Sequence, residues 1–174
     1  NMTSSLTFVL GGAASGKSAL AETIVRAPGL PLVYVATAQA FDAEMKEKIA
    51  QHRETRGSGW TTIEAPLDLP GALTRAPADQ AILIDCLTLW LTNLLLAEAD
   101  IPAAETALFA ALDACPAPVT VVSNEVGQGI VPENALARRF REAQGRLNIR
   151  MAARAGTVVH VVAGLPNVLK GRMP

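Results

Sequence analysis

Five short apolar runs recur along the chain, and they predict the strands of one sheet. The runs are rich in valine, isoleucine and leucine and lack regular polar alternation, which is typical of parallel strands buried on both faces. They cover residues 6–10, 32–36, 81–85, 119–123 and 157–162. The stretches between them that we predict to be helical are residues 18–27, 42–55, 88–97, 103–114 and 134–155. Strands that alternate with helices predict an α/β fold, with a mostly parallel sheet and helices on both faces.

Composition narrows the class of protein. The chain has 174 residues, of which 50% are hydrophobic and 18% are charged, and its formal net charge is -1. These values exclude a disordered chain and argue against nucleic acid as a partner. Cys86 and Cys115 are too few for a disulfide framework, so we expect reduced thiols and a cytoplasmic location. The longest apolar stretch, residues 81–97, is interrupted by polar side chains, and we expect no membrane span.

The strongest local motif follows the first apolar run. It reads Gly11-Gly12-Ala13-Ala14-Ser15-Gly16-Lys17-Ser18 and matches the phosphate-loop pattern G-x-x-x-x-G-K-[ST]. Backbone N–H groups of such a loop, together with the N-terminus of the following helix, surround an anion. We expect Lys17 to reach the β- and γ-phosphates and the Ser18 hydroxyl to bind Mg²⁺. The motif predicts a single P-loop NTPase-like (RecA-like) domain over residues 2–174.

A carboxylate ends the third apolar run. Asp85 closes the sequence Ala-Ile-Leu-Ile-Asp at the predicted edge of the sheet. It is a candidate second ligand for Mg²⁺ or for the water shell of the ion. An aspartate at this position is also a common helix cap, and the sequence leaves both roles open.

A second group of candidate functional residues lies on the charged helix predicted at residues 42–55. Three- and four-residue spacing places Met45, Ile49, His52 and Arg56 on one face. We expect Met45 and Ile49 to pack on the body, with His52 and Arg56 emerging together. An imidazole beside a guanidinium suits phosphate chemistry, since the neighbouring charge disfavours protonation of the ring. The alternative is a solvated helix of mixed charge with an incidental histidine.

The chain as a whole resembles the bifunctional adenosylcobinamide kinase / adenosylcobinamide-phosphate guanylyltransferase family of cobalamin biosynthesis. The resemblance begins in the phosphate loop and runs to the closing segment near residue 171. Its further marks are Ala21-Glu22, Tyr34-Val35-Ala36-Thr37, Asp42-x-Glu44-Met45, Ile49-x-x-His52-Arg53-x-x-Arg56, Trp60, Glu64, Asp85-Cys86-Leu87-Thr88, Asn93-Leu94-Leu95, Asn124-Glu125-Val126-Gly127-x-Gly129-Ile130-Val131-Pro132-Glu133-Asn134, Ala137-Arg138, Phe140-Arg141, Gly145 and Asn148.

The resemblance implies two reactions. A nucleoside triphosphate, ATP or GTP, phosphorylates adenosylcobinamide, and GTP then gives GMP to the new phosphate through a guanylyl-histidine at His52. Lys17 joins His52 as a catalytic residue, and Mg²⁺ is expected on Ser18 and Asp85. The positions implied to hold the nucleotide are Gly11, Gly12, Ala13, Ala14, Ser15, Gly16, Lys17, Ser18, Thr37, Arg53, Glu54, Thr55, Arg56, Glu64 and Asp85. The resemblance also implies a homotrimer.

One position departs from the family and two other functions compete. Ala14 stands where the family usually carries an arginine, so the loop has one positive charge fewer. A monofunctional P-loop kinase would use Lys17, Ser18 and Asp85 but give His52 no covalent role. A nucleotide-binding switch would have neither activity. We assign no general base to the kinase step, because phosphoryl transfer depends more on positioning and charge neutralisation than on a strong base.

Three further features have competing interpretations. The loop from Asn124 to Gly129 follows a predicted strand and favours a role in the ligand pocket, or else a turn that needs glycine. Arg146, Arg150 and Arg154 recur every four residues, which favours a solvated or subunit-facing stripe over phosphate contact. His160 lies within an apolar run, which favours a packed histidine over a ligand, and the two cysteines show no zinc-ligand spacing.

Overall fold

The apolar runs form a mixed sheet with the phosphate-loop strand near its middle. A computed structural model of the chain describes residues 3–39, 43–57, 59–125 and 133–174. The strands are β1 (Thr3–Gly11), β2 (Leu32–Ala36), β3 (Trp60–Glu64), β4 (Ala81–Asp85), β5 (Val119–Asn124), β6 (Ala155–Val162) and β7 (Leu165–Lys170). Among the described residues the order is β3-β2-β4-β5-β1-β6-β7. All neighbouring strands are parallel except β6 and β7, which form an antiparallel hairpin.

Helices connect the parallel strands. They are α1 (Lys17–Arg26), α2 (Ala43–Arg56), α3 (Leu69–Arg75), α4 (Leu87–Leu96), α5 (Ile101–Ala114) and α6 (Ala135–Arg154). Asp68, Asp100 and Asn134 cap α3, α5 and α6, because each side chain accepts hydrogen bonds from N–H groups of the first turn. No helix of the described ranges has both the length and the apolarity that a membrane span needs.

Each face of the sheet carries its own apolar core. The larger core joins the strands to α3, α4, α5 and α6, and it includes the fully buried side chains of Phe8, Trp90 and Leu147. The smaller core joins the strands to α1 through Ala21 and Ile24. The expected mostly parallel sheet with helices on both faces is therefore confirmed.

Three elements were not predicted, and one packing expectation was wrong. The strands β3 and β7 lie at the two edges of the sheet, and α3 is only seven residues long. The described side chains of α2 are exposed or half-buried. Met45, expected to pack on the body, is 38% exposed, and Ile49 is half-buried. Asp42, the expected first residue of this helix, lies outside the described residues.

Candidate functional site

The phosphate loop lies between the end of β1 at Gly11 and the start of α1 at Lys17. Gly16 has a φ of 91° in the left-handed region, where a side chain is disfavoured. Ala14 also has a positive φ, 55°. The Lys17 ammonium donates a hydrogen bond of 3.0 Å to the Gly12 carbonyl oxygen. The lysine predicted to reach the phosphates is thus folded over the loop itself.

Neighbouring backbone fixes the loop from two sides. The Gly164 N–H, in the turn between β6 and β7, donates to the Ser15 carbonyl oxygen at 2.7 Å. The Glu125 N–H donates to the Gly11 carbonyl oxygen at 3.0 Å. A Cβ atom on Gly11 would lie 2.9 Å from the Val161 carbonyl oxygen, so only glycine fits there. The Ser15 hydroxyl is buried without a hydrogen-bond partner in the described part of the chain, which leaves a polar group available for a ligand.

Asp85 lies at the same edge of the sheet as the phosphate loop. It pairs with Val122 of β5, two residues before Asn124, which pairs with Gly11. One strand therefore separates the carboxylate from the loop, a spacing of roughly 10 Å between β4 and β1. The Tyr34 hydroxyl donates to Asp85 Oδ2 at 2.5 Å. Burial and the negative charge of Asp85 raise the pKa of Tyr34, which keeps this phenol protonated as a donor.

The alternative role of Asp85 as a helix cap is wrong. Cys86 is the N-cap of α4, and its Sγ accepts from the Leu89 N–H at 3.5 Å. Burial, with a smaller contribution from the charge of Asp85, raises the pKa of the Cys86 thiol to about 11. The thiol is therefore neutral at physiological pH and does not compete as a thiolate ligand. The carboxylate of Asp85 and the hydroxyl of Ser18, which is exposed at the start of α1, are the oxygen donors that Mg²⁺ prefers.

Thr37 holds the backbone around Asp85 rather than facing an open site. It is fully buried, and its hydroxyl donates to the Cys86 carbonyl oxygen at 2.7 Å and accepts from the Cys86 N–H at 2.8 Å. The Asn93 amide donates to the carbonyl oxygens of Thr37 and Pro66, at 2.8 and 2.9 Å. Thr37 was expected among the nucleotide-binding residues, but its hydroxyl is committed to this clamp. Asn93 was identified only as a mark of the family, without a role.

Helix α2 approaches the sheet through two arginines. Arg53 Nη2 lies 3.1 Å from Glu64 Oε1, and the Arg56 guanidinium lies 3.5 Å from the centre of the Tyr34 ring. The backbone of His52 lies one turn before Arg56, whereas the side chains of His52 and Thr55 are outside the described part of the structure. Arg56, Tyr34 and Asp85 thus form a continuous series of contacts from α2 to the end of β4.

An open cleft of about 620 Å³ borders α2 and the ends of β2 and β3. Lys46, Arg53 and Glu54 line it from the helix, and Glu64 lines it from the end of β3. The predicted nucleotide-binding residues Arg53, Glu54 and Glu64 therefore share one accessible surface. Glu64 was not assigned to a strand from the sequence. It lines the cleft because it is the last residue of β3.

A buried polar network lies beneath the ends of β5 and α4. The Ser123 hydroxyl donates to Asn148 Oδ1 at 2.8 Å and accepts from the Gln144 amide at 3.0 Å. The Thr88 hydroxyl accepts from the Asn124 N–H at 2.8 Å, and Asn148 Nδ2 donates to the Asn124 carbonyl oxygen at 3.4 Å. Both backbone groups of Asn124 are fixed in this way. The rest of the predicted pocket loop, residues 126–129, lies outside the described residues.

The remaining candidates have structural partners. Arg150 pairs with Glu105, and Arg154 pairs with Asp113 at 2.5 Å, so part of the arginine stripe joins α6 to α5. His160 is half-buried on β6, and its Nε2 lies 2.9 Å from Glu125 Oε2. The sequence predicted that His160 is packed in the strand but did not predict its polar partner, Glu125, which lies beside the phosphate loop.

The phosphate loop between β1 and α1, with Asp85 ending a nearby strand, defines a P-loop nucleotide-binding α/β protein. The solved structure of a prototypical ATPase from the type III secretion system of pathogenic bacteria shares this fold. It has a TM-score of 0.51 and 14% sequence identity, over 94% of this chain and 56% of that chain.

A family model described as cobinamide kinase / cobinamide phosphate guanyltransferase matches residues 7–169. The bifunctional adenosylcobalamin biosynthesis protein CobP of Pseudomonas aeruginosa is 46% identical over 94% of this chain and 96% of its own length. The bifunctional adenosylcobalamin biosynthesis protein CobU of Salmonella typhimurium is 44% identical over 91% of this chain and 96% of its own. The chain belongs to this family, and it is a bifunctional kinase and guanylyltransferase of cobalamin biosynthesis.

Proposed function

We propose that the chain phosphorylates adenosylcobinamide with ATP or GTP and then transfers GMP from GTP to adenosylcobinamide phosphate through a guanylyl-histidine at His52. The observation that carries this proposal is the pairing of a phosphate loop with a separate helix, α2, which ends in Arg53 and Arg56. Arg56 of that helix reaches the strand that ends in Asp85, through Tyr34. A kinase alone needs the loop and the carboxylate but has no use for a histidine beside two arginines.

The phosphate loop would hold the nucleotide for the kinase step. Its backbone N–H groups and the buried Ser15 hydroxyl are donors for the phosphates. On nucleotide binding, the Lys17 ammonium would exchange the Gly12 carbonyl oxygen for phosphate oxygens, because a charged acceptor makes the stronger hydrogen bond. In the transfer itself, the substrate hydroxyl oxygen bonds to the γ-phosphorus while the bond to the β,γ-bridging oxygen breaks.

The guanylyl step would use His52 as the nucleophile. A ring nitrogen bonds to the α-phosphorus of GTP, and pyrophosphate leaves. An oxygen of the substrate phosphate then attacks the same phosphorus, the P–N bond breaks and the histidine is regenerated. Arg53 and Arg56, which lie in the last turn of the same helix, would offset the charge that develops on the phosphate oxygens. Glu64 orients Arg53 through their 3.1 Å ion pair.

Ser18 and Asp85 are the residues that would hold Mg²⁺ together with the nucleotide phosphates. Magnesium is commonly bound by one or two carboxylates plus substrate phosphates, so this donor set fits the ion. When bound, the ion neutralises charge on the phosphate oxygens. Tyr34 keeps the Asp85 carboxylate oriented by its hydrogen bond to Oδ2. We also propose a cytoplasmic homotrimer, as the family resemblance implies.

The decisive experiment traces the α-phosphate of GTP. Protein incubated with α-labelled GTP should acquire acid-labile, base-stable label, and His52→Asn should abolish it while leaving phosphorylation of adenosylcobinamide. Glu47→Gln, an exposed change on the same helix, is the matched control and should label normally. Turnover of adenosylcobinamide without any label would favour the monofunctional kinase. Nucleotide binding with neither activity would favour the switch.

A further inference from the structure

A carboxylate and an imidazole meet beside the phosphate loop, and the functions proposed so far leave them unused. We propose that Glu125 is the residue that accepts the proton of the substrate hydroxyl in the kinase step, and that His160 positions it. This inference rests on the proposed kinase activity and adds a catalytic residue to it.

The backbone places Glu125 at the phosphate loop. Glu125 directly follows β5, and its N–H donates to the carbonyl oxygen of Gly11, the first residue of the loop, at 3.0 Å. Residues at the carboxyl ends of parallel strands border the ligand in open α/β sheets. Glu125 therefore lies between the loop that holds the triphosphate and the strand that ends in Asp85.

The side chain of Glu125 is held but still accessible. His160 Nε2 lies 2.9 Å from Glu125 Oε2, and the two side chains are 24% and 27% exposed, His160 first. His160 pairs with Leu10 in the β1–β6 register, one residue before the loop begins. An imidazole N–H that donates to one carboxylate oxygen fixes the orientation of the carboxylate.

Side chains of two helices hold the residue that precedes Glu125. The N–H and the carbonyl of Asn124 are bonded to the side chains of Thr88 and Asn148, which lie on α4 and α6. A catalytic group must be held within a fraction of an ångström to be effective, and supporting hydrogen bonds of this kind provide that precision. In this proposal the buried polar network positions Glu125, because it fixes the backbone of the residue before it.

Asp85 is the less suitable proton acceptor. It lies one strand away from the loop, at the position that the proposed function gives to a ligand of Mg²⁺. Kinases that use an aspartate to accept the hydroxyl proton also separate that residue from the metal-binding carboxylate. We therefore assign the two carboxylates at this sheet edge different roles, with Asp85 as the metal ligand and Glu125 as the proton acceptor.

The oxygen of the substrate alcohol forms a bond to the γ-phosphorus of the nucleoside triphosphate. The bond between that phosphorus and the β,γ-bridging oxygen breaks, and its electron pair leaves with the diphosphate. The alcohol proton passes to the Glu125 carboxylate and later to solvent.

The test separates the two reactions. Kinase turnover is measured with adenosylcobinamide and ATP, and guanylyl transfer is measured with adenosylcobinamide phosphate and α-labelled GTP. Glu125→Gln should lower the kinase rate by about 100-fold or more and leave labelling of the protein and guanylyl transfer within about threefold of wild type. Asp79→Asn, an exposed carboxylate that precedes β4 and so lies at the opposite edge of the sheet, is the matched control and should change neither reaction.

Three further variants distinguish a catalytic role from a structural one. Added formate should restore part of the kinase rate of Glu125→Ala, because a small carboxylate can take the place of the missing group. His160→Ala should lower the kinase rate by roughly tenfold, and His160→Gln, which keeps an N–H donor, should recover most of it.

An unchanged kinase rate in Glu125→Gln overturns the proposal, and so does equal loss of both reactions without formate rescue, which would mark a structural role. If the wild-type protein labels with GTP but does not phosphorylate adenosylcobinamide, the proposed kinase activity fails and this inference fails with it. Loss of labelling in the wild type alone would refute the guanylyl-histidine and leave Glu125 standing.

Discussion

Replacing Gly11 with alanine tests how tightly the phosphate loop is built into the sheet. The new Cβ would lie 2.9 Å from the Val161 carbonyl oxygen and would also collide with the Ser15 side chain. Ser15 can rotate, since its hydroxyl has no hydrogen-bond partner to lose in the described structure, but Val161 is fixed by its pairing with β1. The strand or the loop must therefore shift.

The expected cost follows from the contact. Forcing an extra methyl group into a well-packed site costs about 1–3 kcal/mol. Because the same shift moves the carbonyl that bonds to Glu125 and the loop N–H groups, GTP affinity should also fall, by roughly tenfold for each 1.4 kcal/mol. Urea denaturation gives the free energy of unfolding, and calorimetric titration with GTP gives the affinity.

Gly145→Ala is the control for this experiment. Gly145 lies within α6, and a Cβ there meets nothing within 4 Å. Alanine in a helix is favoured over glycine by about 0.5–1 kcal/mol, so this variant should gain stability and bind GTP normally. If Gly11→Ala behaves like Gly145→Ala in both measurements, the close approach of β6 to the loop does not constrain the site.

Three other changes test separate parts of the structure. Tyr34→Phe should lower the free energy of unfolding by about 1.5–3 kcal/mol, because it removes the donor that satisfies the charged Asp85. Arg150→Met should cost about 1–3 kcal/mol, since it leaves the nearly buried carboxylate of Glu105 without its ion-pair partner. The third change is in pH, because burial raises the pKa of the Cys86 thiol from 9.0 to about 11. The stabilising contribution of the neutral thiol is therefore complete below pH 9 and is lost as the pH rises through 11. The free energy of unfolding should fall over this range by an amount on the order of 2 kcal/mol.

Two of these changes have a matched variant in denaturant titrations. Arg146→Met alters an exposed arginine of the same stripe and should leave stability within about 0.5 kcal/mol. Cys86→Ala should flatten the fall in stability between pH 9 and 11, and a profile identical to wild type would assign that fall to other groups. A Tyr34→Phe protein as stable as wild type would show that its hydroxyl bond to Asp85 is matched by water in its absence.

The parallel core of the fold was predictable because burial on both faces imposes an apolar sequence. All five predicted strands lie within the sheet with neighbours on both sides, and β2, for example, lies between β3 and β4. The strand β3 was not predicted from the sequence because it forms an edge of the sheet, where polar residues such as Thr61 and Thr62 are tolerated. The hairpin strand β7 was not predicted for a related reason, since all of its residues except the last are exposed.

The candidate site was predictable where chemistry fixes spacing and not where folding brings distant residues together. The phosphate loop is one continuous motif, so its residues were found directly. The clamp of Thr37 by Cys86 and Asn93 joins positions about fifty residues apart in the chain, which no local pattern reveals. The meeting of His160 with Glu125 depends in the same way on β5 and β6 lying on either side of β1.

The hydrogen bond from Gly164 to Ser15 makes the final hairpin a lateral support for the nucleotide site. A chain that has folded every parallel strand but not yet added β7 would hold its phosphate loop open on that side. Nucleotide capture is therefore thermodynamically linked to closure of the C-terminal hairpin, since a ligand that prefers the closed form stabilises it. Saturating GTP should accordingly slow amide hydrogen exchange in β7.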